Sequence, residues 1–125
     1  MEAKKQMTYN ATNAKEQPTL PQDQIFTGVI TNIEDGTVSK FVKDTTKWQG
    51  DVNQKAIEVN IEVIHNEIKY DMNQLFTYNE EKGKTVFSQK SNLGKYKGKY
   101  GKLPEVGDQV KLLTNKEGFL KLKLD

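Results

Sequence analysis

The sequence predicts a mostly β protein, a small barrel of five strands with one short helix between the third and the fourth. Three observations predict it. Residues 56–64, AIEVNIEVI, set Ile57, Val59, Ile61 and Val63 against Glu58, Asn60 and Glu62 without a break, which is the period of a half-buried strand. Residues 25–33, IFTGVITNI, are dense in β-branched side chains that favour extended backbone. Residues 109–124 hold two apolar runs separated by Asn115-Lys116-Glu117-Gly118, a hairpin pattern. The chain has 125 residues and 34% hydrophobic content, enough for one core and too little for two.

Taken in order, residues 1–24 contain no Val, Ile or Phe, and Leu20 stands among polar residues and prolines. So little can be buried there that a flexible N-terminal tail is expected, with the folded domain spanning 25–125. The first strand runs from Ile25 to Ile33, with Gly28 marking a bend or bulge and Glu34-Asp35-Gly36-Thr37 closing it as a turn. Residues 38–55 begin like a strand and decay into a polar loop that carries Phe41, Lys43, Lys47 and the sole tryptophan, Trp48. A Trp without apolar neighbours in sequence is either a lid folded back on the core or a stacking platform, and the platform is favoured.

The alternating strand at 56–64 turns at His65-Asn66-Glu67 into a second, Ile68 to Phe76, where Ile68, Tyr70 and Met72 keep the alternation. Lys69 lies on the outer face of this hairpin among Glu58, Glu62 and Asp71, and those carboxylates oppose a phosphate laid across it. Thr77 to Gly83 reads as a polar turn, and Lys84 to Gln89 as a short strand or the end of that connection. From Ser91, a cap, to Pro104, a stop, Leu93, Tyr96, Tyr100 and Leu103 share one helical face and Lys95, Lys99 and Lys102 another. That spacing favours core packing for the two tyrosines. Gly94, Gly98 and Gly101 weaken the helix and suit a close backbone approach. In the last strand Leu120, Leu122 and Leu124 face inward, which leaves Phe119, Lys121 and Lys123 together outside.

Charge is the strongest functional signal. Lys82 to Pro104 holds seven lysines and no acid, a charge of +7, while the other 102 residues carry −5. Such separation points to a polyanion, and Phe87, Tyr96 and Tyr100 among the lysines suit a strand whose bases stack on rings while its phosphates are neutralised. All 19 basic residues are lysine, so the planar guanidinium that reads a guanine edge is missing and sequence-selective duplex recognition is disfavoured. No Cys is present, His65 is the one histidine and reads as a turn residue, and neither a phosphate loop nor a nucleophile elbow occurs. These readings predict no enzyme activity, metal or cofactor, no membrane partner, and a cytoplasmic location.

The order of elements, and the segment SNLGKYKGKYGKLPEVGDQVKLL with its basic helix, Tyr-Gly ending, Pro and Val-Gly-Asp turn, resemble OB-fold single-stranded DNA-binding proteins of the bacterial and archaeal replication protein A type. The resemblance covers residues 25–125. It implies a five-stranded Greek-key barrel that binds single-stranded nucleic acid, DNA in preference to RNA, without sequence selectivity. It places Phe41, Lys43, Lys47 and Trp48 of the first long loop at the site. The acidic outer face, the missing arginines and the lack of a long acidic C-terminal tail depart from that pattern. The nucleic-acid-binding residues expected from all of these arguments are Phe41, Lys43, Lys47, Trp48, Lys69, Lys84, Phe87, Lys95, Lys99, Lys102, Phe119, Lys121 and Lys123. The alternative function is a protein-interaction barrel whose basic helix docks on an acidic partner.

Overall fold

A computed structural model describes residues 16–125. Its organising element is β1, Ile25–Thr37, which is long enough to serve two neighbours. The first half of β1 pairs with β5, Gln109–Thr114, and its second half with β2, Lys55–His65, both antiparallel. The change of partner is accommodated by a register shift between Ile30 and Asn32. Gly28 lies just before it, where a Cβ would stand 2.7 Å from both Ile61 Cγ2 and Leu112 Cδ1. The missing side chain is what lets residues of β2 and β5 meet over β1. The bend expected at Gly28 is therefore a close approach, with the bulge three residues further on.

Strand β2 continues into β3, Ile68–Glu81, through a two-residue turn in which Asn66 and Glu67 both have positive φ, 52° and 65°. β3 then turns at Lys82-Gly83 into the short strand β4, Lys84–Val86. After the helix described below, β5 turns into β6, Leu120–Leu122. The sheet order is β4-β3-β2-β1-β5-β6, six antiparallel strands curled into a half-barrel. β3 and β6 approach each other without pairing, which leaves a seam along the barrel. The core gathers Ile30, Val59, Ile61, Val63, Phe76, Leu93, Tyr96, Val110, Leu112 and Leu122.

Several boundaries differ from the expectation. There are six strands rather than five, because residues 77–81 are not a turn: Thr77 and Tyr78 pair with Ala56 and Lys55, Tyr78 Oη donates to Asp35 Oδ1 at 3.0 Å, and Asn79 to Glu81 pair with Val86 to Lys84, which form the sixth strand. The expected turn at 34–37 is strand, continued by pairing of Gly36 with Ala56 and Thr37 with Lys55. Residues 38–41 do not begin a strand but form one helical turn, α1, Val38–Phe41. Val38 is buried there, and Phe41 and Lys40 cover the bare backbone of Gly36. A 3-10 turn follows at Thr45–Lys47, with the Asp44 carboxylate accepting from Thr46 N.

Residues 1–15 of the expected tail lie outside the described residues, and residues 16–24 are not free of the barrel. Leu20 is buried, Pro21 O accepts from the buried Thr114 hydroxyl at 2.7 Å, and Gln24 N donates to Thr114 Oγ1 at 3.0 Å. Gly118 makes room for this segment, since a Cβ there would stand 2.7 Å from Leu20 O and collide with Thr19. Across the seam, Gln17 Nε2 donates to Lys69 O and Tyr70 Oη to Pro18 O, at 2.8 and 2.7 Å. Residues 17–21 are thus a strap that joins β3 to the β5–β6 hairpin at one end of the seam.

If the strap is part of the cooperative unit, Leu20→Ala will destabilise the fold by about 2–4 kcal/mol, the usual cost of truncating a buried leucine. Urea unfolding measures this, and a midpoint equal to wild type would show that the strap does not hold the barrel.

Candidate nucleic-acid interface

The helix α2, Asn92–Tyr100, is built by its own sequence. Ser91 Oγ accepts from Gly94 N at 3.1 Å and donates to Ser88 O at 2.6 Å, and Gly101 ends the helix in the left-handed region with its N–H on Lys97 O. Gly94 is pressed on the preceding chain, where a Cβ would lie 2.7 Å from Gln89 Cα. The Tyr96 ring is fully buried, edge-on to Phe76 at 5.9 Å and 4.6 Å from Tyr100. Both tyrosines belong to the packed face that their spacing predicts, and Tyr100 Oη accepts from Lys111 N at 2.9 Å.

The Tyr96 hydroxyl donates to Asp108 Oδ2 at 2.8 Å, and the same oxygen accepts from Glu105 N at 3.0 Å. Asp108 Oδ1 pairs with Lys102 Nζ at 2.7 Å, while the main chain of 107–108 exchanges hydrogen bonds with Ile30. Burial raises the pKa of the Asp108 carboxyl and is the largest single influence. The donors from Lys102, Tyr96 and Glu105 together outweigh it and hold the group below the ordinary carboxylate value. Burial, then the bond to Asp108, pushes the Tyr96 phenol up. Lys102, expected at the site, is spent in this knot, bonded to Glu105 and Asp108.

Outside this knot, α2 and the seam carry three hollows in succession that together make a groove. Phe87, Gln89, Gly94, Lys95, Lys97 and Gly98 line a cleft of about 620 Å³, with Lys97 Nζ 5.8 Å from the centre of the half-buried Phe87 ring. Lys95 also lines the next hollow, about 300 Å³, together with Gln74, Asn92, Lys121 and Leu122. Further along the seam, Tyr70, Met72, Phe119 and Leu120 line a third hollow of about 260 Å³, beside the strap. Tyr70, Met72 and Gln74 succeed each other on one face of β3, so these last two hollows share a wall roughly 13 Å long at about 3.3 Å per residue. The expected residues Phe87, Lys95, Phe119 and Lys121 therefore meet in one groove. Lys97 joins them, a lysine that its place on the helix did not single out because only the fold puts it over Phe87.

The remaining expected residues lie elsewhere. Lys99 Nζ donates to Asp125 O at 3.0 Å and Lys123 Nζ pairs with Asp125 Oδ1 at 3.2 Å, and Asp125 lines the same hollow as Lys95 and Lys121. Lys84 is exposed at the start of β4, opposite Glu81. Phe41, Lys43, Lys47 and Trp48 belong to the loop over the outer face at Gly36, where Phe41 packs and Trp48 is half-buried. Lys69 pairs with Glu62 at 3.7 Å. The outer face of β1–β2–β3 is acidic, as its alternation predicts: Glu34 stands opposite Glu58 and Glu62 opposite Asp71, around a chain in which Thr31 Oγ1 donates to Asn60 Oδ1 and Asn60 Nδ2 to Asn73 Oδ1. His65 packs edge-on to Phe26 at 5.3 Å. Among the described residues no three His, Asp or Glu gather as metal ligands, and no helix is long and apolar enough to cross a membrane.

Compared with protein-family models, curated proteins and solved structures, the chain matches none. The chemistry of the groove therefore rests on its geometry.

The Asp108 knot has a pH signature. A carboxyl held below its ordinary pKa, about 3.9, contributes stability that is fully present above about pH 4 and is lost as pH falls through the folded value. Wild type will therefore lose stability in that acid window, and Asp108→Asn, weaker by about 1–3 kcal/mol at pH 7, will show a flatter acid limb. Denaturant unfolding at a series of pH values measures both, and equal acid limbs would remove Asp108 from this role.

Proposed function

We propose that this protein binds single-stranded nucleic acid, DNA in preference to RNA, without sequence selectivity, in the groove along α2 and the β3–β6 seam. The observation that carries this reading is the run Phe87, Lys97, Lys95, Lys121, Phe119, in which rings stand at both ends and lysines between them. Lysines neutralise phosphates as point charges, and rings stack on any base, so the pair of features gives affinity without a code. Neutralisation is favoured at Lys95, Lys97 and Lys121 rather than on the acidic outer face, where Glu58 and Glu62 would repel the strand, and Asp71 sets the acidic edge of the hollow beside Phe119.

The barrel is proposed to be of the OB type. What supports this is β1 shared between the β2–β3 and β5–β6 hairpins, with α2 between the two hairpins and β4 counted as an extension of β3. A barrel of that type offers loops beside its binding face, and the loop with Lys43, Lys47 and Trp48 is the second surface to test.

If three to five lysines each meet a phosphate, log affinity for an unstructured oligonucleotide will fall against log salt with a slope of roughly −2 to −4. Fluorescence anisotropy over a salt series measures it, and a salt-independent affinity would contradict the proposal. Phe119 is 65% exposed, so Phe119→Ala will leave the fold intact and weaken binding by about 1–3 kcal/mol, while Trp48→Ala will change it little. The reverse outcome would move the strand from the groove to the first loop.

A further inference from the structure

The outer surface where β1 passes from β2 to β5 meets the groove only at its two margins, where Lys121 and Asp71 also line hollows of the seam. Residues directly opposite in an antiparallel pair share a face, so Ile25 stands beside Leu113, Thr27 beside Lys111 and Leu113 beside Lys121. Lys111 Nζ reaches Thr27 Oγ1 at 2.8 Å across this face. On the other side of β1, Val29 stands opposite Glu62, and Glu62 opposite Asp71. Asn60 and Ile64 flank Glu62 on the same face by the two-residue period, and Glu58 follows one step beyond Asn60, opposite Glu34. Ile64 is 65% exposed, Ile25 57%, Leu113 40% and Val29 38%. Thr27, with Lys111 bonded to it, stands between the Ile25–Leu113 pair and Val29, and aliphatic side chains gathered in water on one face mark an interaction site more often than scattered single residues do.

The charges beside that strip are ordered. On the β2–β3 side, Glu58 and Asp71 have no lysine partner among the described residues, while Glu62 is held by Lys69. On the β5–β6 side, Lys111 and Lys121 have no carboxylate partner among the described residues, while Lys123 is held by Asp125. Across the face the sequence of surfaces is therefore acidic, aliphatic, basic.

We propose that this face binds a second copy of the chain, with a two-fold axis through the aliphatic strip. A two-fold interface must be complementary to itself, and an acidic-aliphatic-basic stripe is, because rotation lays the carboxylates of each copy on the lysines of the other. A partner of a single charge sign would be repelled by one flank. Aliphatic side chains present no ring on which a base could stack, so the strip gives a nucleic acid nothing in exchange for its desolvation.

Sedimentation velocity of the full chain without nucleic acid tests the pairing over a concentration series. The wild type will pass from one protomer mass to two as concentration rises, and Val29→Lys will shift that transition at least tenfold upward. Lys111→Glu with Lys121→Glu makes both flanks acidic, and Glu58→Lys with Asp71→Lys makes both basic. Neither variant will pair with itself, but an equimolar mixture will form a dimer of two protomers. Thermal unfolding confirms that each variant is folded, and Val29→Lys alone decides should a double variant fail to fold. A wild type that stays at one protomer mass, a Val29→Lys variant that pairs as wild type does, or folded double variants that do not associate when mixed would each overturn the proposal.

Discussion

The carboxylate of Asp108 is the joint on which the groove depends. It accepts from the buried hydroxyl of Tyr96, from the backbone of Glu105 and from Lys102, and its own backbone is tied to Ile30 on the central strand. A phenol at the centre of a core costs free energy unless its hydroxyl finds an acceptor, and a carboxylate as sheltered as that of Asp108 needs donors. Each group satisfies the other. The result fixes the pitch of α2 on the barrel and thereby the direction in which Lys95 and Lys97 project. Without that joint a glycine-containing helix of nine residues would have little stability of its own.

A single sheet serves two electrostatic purposes because β1 is shared. The half made with β2 and β3 turns carboxylates outward, while β5 and β6 turn lysines outward and α2 adds more at the seam. The near-neutral total of the sequence thus conceals a molecule with a marked charge axis. On the proposed reading, phosphates are attracted to one part of it and repelled from another, which would restrict a strand to few paths even though no group present reads base edges in the manner of a guanidinium.

Much of this architecture is legible in the sequence where the signal is local. The alternation of Ile57, Val59, Ile61 and Val63 gives β2 and its inward face, and Ser91 gives the start of α2. The same period continues through Tyr70, Met72, Gln74, Phe76 and Tyr78, so the length of β3 was also written in the chain, obscured by the polar residues between. Other features depend on contacts distant in sequence. Leu20 looks like an isolated apolar residue in a polar tail until Thr114 and Gly118 come round to meet it. Val38 continues a β-branched run, yet starts a helical turn in which it is buried and its N–H is held by Gln54 O. Of the expected site residues, Phe87, Lys95, Phe119 and Lys121 line neighbouring hollows because α2 and β6 both approach β3 at the seam. Lys102 is diverted because its nearest carboxylate, Asp108, is a structural one whose role no local pattern announces.

The central claim is that a single strand lies in the groove between α2 and the seam, and lysine footprinting tests it most directly. Each lysine is acetylated with and without a saturating single-stranded DNA oligonucleotide, and its modification is read by mass spectrometry. The account predicts that Lys95, Lys97 and Lys121 are protected by the strand while Lys43 and Lys47 react as they do in the free protein. Protection of Lys43 and Lys47 with Lys95, Lys97 and Lys121 left fully reactive would contradict it.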